Sequence, residues 1–275
     1  MGTEEAPVAM SKLQEADYGE HRDYAYGAPH LSHPQLRTRI ESDLTALVKG
    51  LIETQGRCRA LEVGAGHGTF TDTLVRAGAS ATVTEMSAPS VAVLKNKFDE
   101  QAAVTVIHDP DGSECVRVAA DGCDLLVFIS VLHHIPDYLG VAISLVDRLD
   151  PGGAFYCAQD PKWYPDRSRW SMGVDRGAYL LWRIRQGNLK RGVGSQMRRL
   201  RGVYDESSPS DMIEYHVVRQ GVDEGALEEM LRSRFQDVDP WFYWSTQSRW
   251  LQRLGERTGW TSTFGMTARK RLPRD

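Results

Sequence analysis

Apolar residues along this chain recur with two different periods, and the change from one to the other marks out its organisation. Pro34 opens a stretch in which Leu36, Ile40, Leu44, Leu47, Val48 and Leu51 follow at helical spacing, so a helix with one apolar stripe is predicted, closed by Gly56. From Arg59 the pattern becomes short apolar runs separated by helical segments. Strands are predicted at Arg59–Val63, Ala81–Glu85, Val104–His108, Asp124–Ser130 and Ala154–Ala158. Between them Phe70–Ala77 reads as a helix stopped by Gly78, Ser87 caps a helix with Pro89 in its first turn, and Asp137 caps one running to Leu149. Pro151-Gly152-Gly153 reads as the turn into the fifth strand. The Asp124–Ser130 run is nearly all apolar, as a parallel strand covered on both faces should be. Strands alternating with helices at this rhythm mean an open α/β sheet with helices on both faces.

The rhythm breaks over residues 160–221, which are rich in Arg and Trp and carry predicted helices at Gly177–Arg185 and Gln196–Arg201. It resumes at Asp223, the cap of a helix over Gly225–Ser233. Gln236–Trp244 follows as strand six, Arg249–Glu256 as a helix and Thr261–Arg269 as strand seven. Residues 1–33 show little periodicity and read as an arm or lid. The expected organisation is therefore one domain, 34–275, with 160–221 inserted as a helical cap.

Charge sharpens this division. The net charge of −4 hides eleven Lys/Arg against two acids between Lys162 and Arg201, leaving 22 basic and 35 acidic residues elsewhere. Nothing global demands a nucleic acid or a membrane, and the longest apolar run, Leu125–Leu132, is far too short to span a bilayer. The cysteines Cys58, Cys115, Cys123 and Cys157 show neither CxxC spacing nor histidines at zinc distances, which fits thiols in a reducing cytoplasm. No metal is expected, since Asp109-Pro110-Asp111-Gly112 lacks the spacing of a calcium loop.

The chemistry concentrates in Glu62-Val63-Gly64-Ala65-Gly66-His67-Gly68, where the first strand hands over to the first helix of the sheet. Ligands of open parallel sheets bind beyond the carboxyl ends of the strands, and this is such a place. A dinucleotide loop would carry its third glycine at position 69, but Thr69 stands there and the pattern is G-x-G-x-G. Glu85, at the tip of strand two, can accept hydrogen bonds from both hydroxyls of a ribose, so a nucleoside-containing cofactor is implied.

Glu62 to Gly68, Glu85, the segment Asp124-Leu125-Leu126-Val127 with Val131-Leu132-His133-His134-Ile135-Pro136-Asp137, and Leu149-Asp150-Pro151-Gly152-Gly153 together resemble the class I S-adenosylmethionine-dependent methyltransferases. The resemblance runs from about Arg59 to Gln159 and more faintly through the last two strands. It implies a seven-stranded, doubly wound, Rossmann-like sheet of order 3-2-1-4-5-7-6 with its final strand reversed. It also implies that Gly64, Gly66 and Gly68 line the methionine part of S-adenosyl-L-methionine, with Glu62 also among the cofactor-binding residues. Glu85 would then hold the ribose, and Asp109 would sit by the adenine with Asp111 near enough to compete. Ser130, at the end of strand four, joins this cofactor-binding set.

Methyl transfer from a sulfonium needs donor and acceptor positioned, and a base where the acceptor must lose a proton. His133 and His134, beyond strand four, are the candidate bases, His134 ahead on motif position. Each can equally serve only to tie the loop. Asp160, at the end of strand five, is expected to orient a histidine, bind substrate or cap the excursion that starts there. Tyr18, Tyr24 and Tyr26 read as a lid over cofactor and substrate or as an oligomer-contacting arm. Trp163, Trp182, Tyr215 and His216 are candidates for the acceptor pocket. The expected activity is methylation of an O, N or C atom of a small, anionic or aromatic acceptor, in specialised metabolism. An RNA- or protein-modifying methyltransferase docking through the Arg-rich cap is the alternative, and a nicotinamide-dependent oxidoreductase a more distant one.

Overall fold

The computed structural model describes residues 28–163 and 221–273. Seven strands form one sheet of order β3-β2-β1-β4-β5-β7-β6. They are β1 (Arg59–Val63), β2 (Ser80–Glu85), β3 (Val104–His108), β4 (Cys123–Ile129), β5 (Leu149–Pro161), β6 (Phe235–Tyr243) and β7 (Thr263–Arg271). The first five pair in parallel, whereas β7 runs antiparallel to both β5 and β6. The carboxyl ends of β1, β2, β4, β5 and β6 therefore share one edge, where the site is built.

The helices are α1 (Pro29–Ser32), α2 (Pro34–Gln55), α3 (Thr69–Arg76), α4 (Ala88–Lys97), α5 (Ser113–Val118), α6 (Tyr138–Val146), α7 (Glu224–Arg232) and α8 (Arg249–Thr258). Pro34 sits at the first position of α2, and Gly56 ends it with a φ of 75° that a side chain resists. Strand alternation sorts the core into two faces. Leu125, Val127, Ala60 and Tyr156 pack with Ile40, Leu44 and Val48 of α2. Leu126, Phe128, Leu61 and Phe155 pack with Ala142, Leu145 and Leu231 of α6 and α7. Every residue of β4 is buried. At roughly 1.5–3 kcal/mol for each fully buried large apolar side chain, β4 is the strand whose loss would cost most.

Several boundaries differ from the sequence expectation. The helix expected to reach Leu149 ends at Val146, because Leu149 already pairs with Cys123 as the first residue of β5. Pro151-Gly152-Gly153 is then a bulge inside a long strand, not a turn before a short one; the register shifts between Cys123 and Leu125, and Gly152 adopts a φ of 80°. Helix α5 has no counterpart in the sequence reading, being too short to display a period. Ala28 to His33, assigned by sequence to the arm, packs into the domain with Pro29, His30 and His33 buried. The expected helices at Gly177–Arg185 and Gln196–Arg201, with the cap they belong to, lie outside the described residues.

At the amino edge of the sheet, Asp124 is fully buried and accepts from the Arg59 backbone N–H at 2.8 Å and from its guanidinium Nε and Nη2, each at 3.2 Å. Removing the carboxylate strands a buried backbone donor and takes from the Arg59 guanidinium one of its two carboxylate partners, Asp150 being the other, so Asp124→Ala is expected to lower unfolding free energy by about 2–3 kcal/mol. Asp124→Asn, which keeps one acceptor oxygen, should lose less. Urea unfolding of the three proteins measures the difference.

Candidate active site

The glycine loop turns between β1 and α3 with three left-handed residues, Gly64, Gly66 and Gly68, at φ values of 71°, 55° and 70°. Space as well as conformation requires glycine at two of them. A Cβ on Gly64 would stand 2.6 Å from Val131 Cγ2, and one on Gly68 would stand 2.5 Å from Phe98 Cε2. The amides of Gly64 and Ala65 both donate to the Thr84 carbonyl, at 2.9 and 3.1 Å, which ties the loop to β2.

Glu85, at the tip of β2, completes that tie. Its Oε2 accepts from Gly66 N–H at 2.8 Å and its Oε1 from Ser87 N–H at 2.9 Å. Burial pushes its pKa upward and these backbone donors push it back. Lys97, at the end of α4, donates to the carbonyls of His67 and Gly68 at 3.2 and 2.8 Å and pairs with Asp72 at 2.6 Å. Sequence reasoning missed this lysine; its signal was a basic residue in the last turn of the helix that packs beneath the loop.

Glu62 is buried at the end of β1, where it accepts the Thr71 hydroxyl at 2.6 Å. Burial raises its pKa to about 7, against the Thr71 hydrogen bond and the Lys97 charge. It lines a small cleft together with His30, Gly64, Ala65, Thr69 and Phe70. His30 stacks on Phe70 at 6.0 Å between centroids, and its burial lowers its pKa to about 4, so the ring is neutral near pH 7.

Beside this loop, β4 and β5 both end in strained backbone. Ser130 and Gln159 have φ values of 61° and 70°, and for residues other than glycine each such conformation costs on the order of 1–3 kcal/mol. Both are held in place by hydrogen bonds. Ser130 N–H donates to the Ala158 carbonyl at 2.8 Å, and Gln159 N–H to the Tyr243 hydroxyl at 2.8 Å. The Gln159 side chain adds contacts to Ser245 and Tyr243.

The kink after β4 delivers a short helical turn, Leu132–His134. There His133 Nδ1 donates to Asp160 Oδ1 at 2.7 Å, and the His133 backbone N–H reaches the same oxygen at 3.1 Å. Asp160 is fully buried, and the His133 side chain is only 9% exposed. His134 lies against His133 at 4.0 Å between ring centroids. Asp160 thus pairs with His133, although motif position favoured His134.

Asp109 is buried, but both its oxygens are turned to the start of α5, accepting from Glu114 N–H at 3.0 Å and Cys115 N–H at 2.9 Å. At the position expected to sit by the adenine, the carboxylate thus caps α5. Exposed Asp111 accepts from Ser113 N–H. Trp163 is half-buried, with its backbone N–H on Glu224 at 2.8 Å. Tyr18, Tyr24, Tyr26, Trp182, Tyr215 and His216 lie outside the described residues. Among those described, no helix is long and apolar enough to cross a membrane, and no cluster of three His, Cys, Asp or Glu could hold a metal ion.

A sheet of this order, reversed only at β7, with a glycine turn after β1 that meets a carboxylate from β2, is the frame of the class I methyltransferases. The chain belongs to that S-adenosylmethionine-dependent family: a family model described as a methyltransferase domain matches residues 27–192, more than half of its length. Among curated proteins it is similar to the ubiquinone biosynthesis O-methyltransferase of Methylobacterium sp. (strain 4-46), 30% identical over 98 residues, 36% of this chain and 39% of that one. The chain spans half or less of the length of the curated relatives it matches. Its fold is similar to the N-methyltransferase NodS of Bradyrhizobium japonicum WM9 bound to S-adenosyl-L-homocysteine. The TM-score is 0.54 at 15% identity, over 96% of this chain and 99% of that one. It is also similar to the magnesium protoporphyrin IX methyltransferase of Synechocystis PCC 6803 with bound S-adenosylmethionine. There the TM-score is 0.51 at 12% identity, over 98% and 99%.

The raised pKa of Glu62 makes stability depend on pH with a definite sign. The folded chain holds a proton that the unfolded chain has lost above pH 4.5, so this group's contribution is complete below 4.5 and lost as pH rises to and past about 7. The loss is on the order of 3 kcal/mol. Glu62→Gln is therefore expected to gain on the wild type between pH 5 and pH 8 in urea unfolding. A pH-independent difference between the two proteins would contradict it.

Proposed function

We propose that this chain methylates a small-molecule acceptor and that His133, held by Asp160, removes the acceptor's proton. The observation that carries the reading is the 2.7 Å contact between His133 Nδ1 and the buried Asp160 carboxylate, two residues beyond the Val131 side chain that fills the space above Gly64. A carboxylate only accepts, so Asp160 fixes the imidazole with its proton on Nδ1 and its lone pair on Nε2. The imidazolium formed on proton uptake is stabilised by the same contact.

The residues of the cleft suit the cofactor of the family. Gly64, Gly66 and Gly68 offer backbone unobstructed by Cβ atoms to the methionine part, Glu62 offers a carboxyl to its ammonium, and Glu85 offers the ribose two oxygens already ordered by amides. Ser130 and Asp109 shape the rim, the latter by holding its loop. When bound, the cofactor supplies a methyl group activated on a sulfonium. Support for a small-molecule acceptor comes from the 30% identity to a ubiquinone biosynthesis O-methyltransferase. For the acceptor, we infer a role for Trp163, and the sequence candidates Trp182, Tyr215, His216, Tyr18, Tyr24 and Tyr26 stay proposals outside the described residues.

Labelled methyl transfer into a fractionated cell extract tests this reading. Label is expected in the small-molecule fraction, with turnover falling about 100-fold in His133→Ala and about 10-fold in Asp160→Asn. Both variants should keep S-adenosylhomocysteine binding. Label confined to RNA or protein would overturn the acceptor class, and full turnover in the double variant would overturn the base.

A further inference from the structure

The cleft beside the glycine loop contains a side chain whose burial the fold alone does not explain. His30 is 6% exposed and lines the cleft with Glu62, and its Nδ1 has no protein group within hydrogen-bonding distance. Buried polar atoms in folded proteins are nearly always satisfied, so such a nitrogen beside a ligand cleft points to a ligand. Nor is the ring placed loosely. It stacks on Phe70, and its segment is fixed three residues on by His33, whose Nε2 lies 2.6 Å from the Thr246 carbonyl oxygen. The backbone closes with His33 N–H donating to the Pro29 carbonyl at 2.9 Å.

We propose that His30 is a specificity-determining contact for the amino-acid end of the cofactor, donating Nδ1–H to its carboxylate while Glu62 takes its ammonium. This rests on the reading that the glycine-loop cleft holds the cofactor. The division of labour follows from charge. Glu62 repels a carboxylate and attracts an ammonium, so the carboxylate needs a donor elsewhere in the cleft. Among the described residues no Lys or Arg lines the cleft, and Lys97 is engaged by the His67 and Gly68 carbonyls and by Asp72. Among the described residues the Thr69 hydroxyl and the His30 imidazole are the side-chain donors along its wall, and the imidazole is held by its stack on Phe70. A ligand with the adenosine and thioether but no amino-acid end would forgo this contact.

Calorimetric titration of the full chain with S-adenosylhomocysteine and with 5′-methylthioadenosine, which lacks the amino-acid end, separates the possibilities. His30→Phe keeps a ring against Phe70 and removes the donor; it is expected to weaken S-adenosylhomocysteine about 10-fold and leave methylthioadenosine within about twofold. His30→Asn, whose amide can place a donor near the same point, should recover most of the loss. Equal weakening of both ligands, or unchanged S-adenosylhomocysteine affinity in His30→Phe, would overturn the proposal. A wild-type chain that binds neither ligand would overturn the cofactor reading itself, and this contact with it.

Discussion

A single buried carboxylate holds the site together. Glu85 reaches from the tip of β2 to the Gly66 amide of one loop and the Ser87 amide of the next, so one side chain joins two crossover connections at the same edge of the sheet. It can do this only because β2 lies beside β1, which the parallel register fixes through the pairing of Val63 with Thr84. Burial raises its pKa, and the two amides oppose that rise. The same amides settle where the glycine loop runs, and hence where the bare backbone of Gly64 and the carboxyl of Glu62 face the cleft.

The neighbouring half of the site follows a similar logic with a different partner. Asp160 anchors His133 from the end of β5 as Glu85 anchors Gly66 from the end of β2, each across a parallel strand boundary. Between them, Ser130 and Gln159 sit in strained conformations, held by the Ala158 carbonyl in the first case and by Tyr243 and Ser245 in the second. Strain at the ends of adjacent central strands aims the following residues out of the sheet plane, which is how a short turn at Leu132–His134 comes to lie against β5.

Most of the fold was legible because it rests on period. The β1 and β3 limits coincide with the apolar runs, and Ser87 and Asp137 cap helices as their side chains imply. Where reasoning from sequence failed, a long-range partner made the decision. Pro151-Gly152-Gly153 became a bulge because Leu149 found Cys123 across the sheet. Helix α5 escaped notice because its six residues are held by the Asp109 carboxylate, which takes two of its amides, and not by a period. In the site, the glycines and Glu85 could be found from local spacing. The pairing of His133, and not His134, with Asp160 could not, since it depends on Asp160 lying opposite in space. His30 was hidden for another reason: an isolated polar residue in an aperiodic stretch gives no sign of burial until the cleft it lines exists.

The central claim is that the Glu85-anchored loop is a site for the nucleoside of S-adenosylmethionine. Its most direct test is equilibrium binding of S-adenosylhomocysteine to the wild-type chain and to Glu85→Ala, with NADH as competitor. Loss of a buried, doubly bonded carboxylate should weaken binding about 100-fold or more, and NADH should fail to displace the bound ligand. Wild-type affinity in Glu85→Ala, or preferential binding of NADH, would contradict the account.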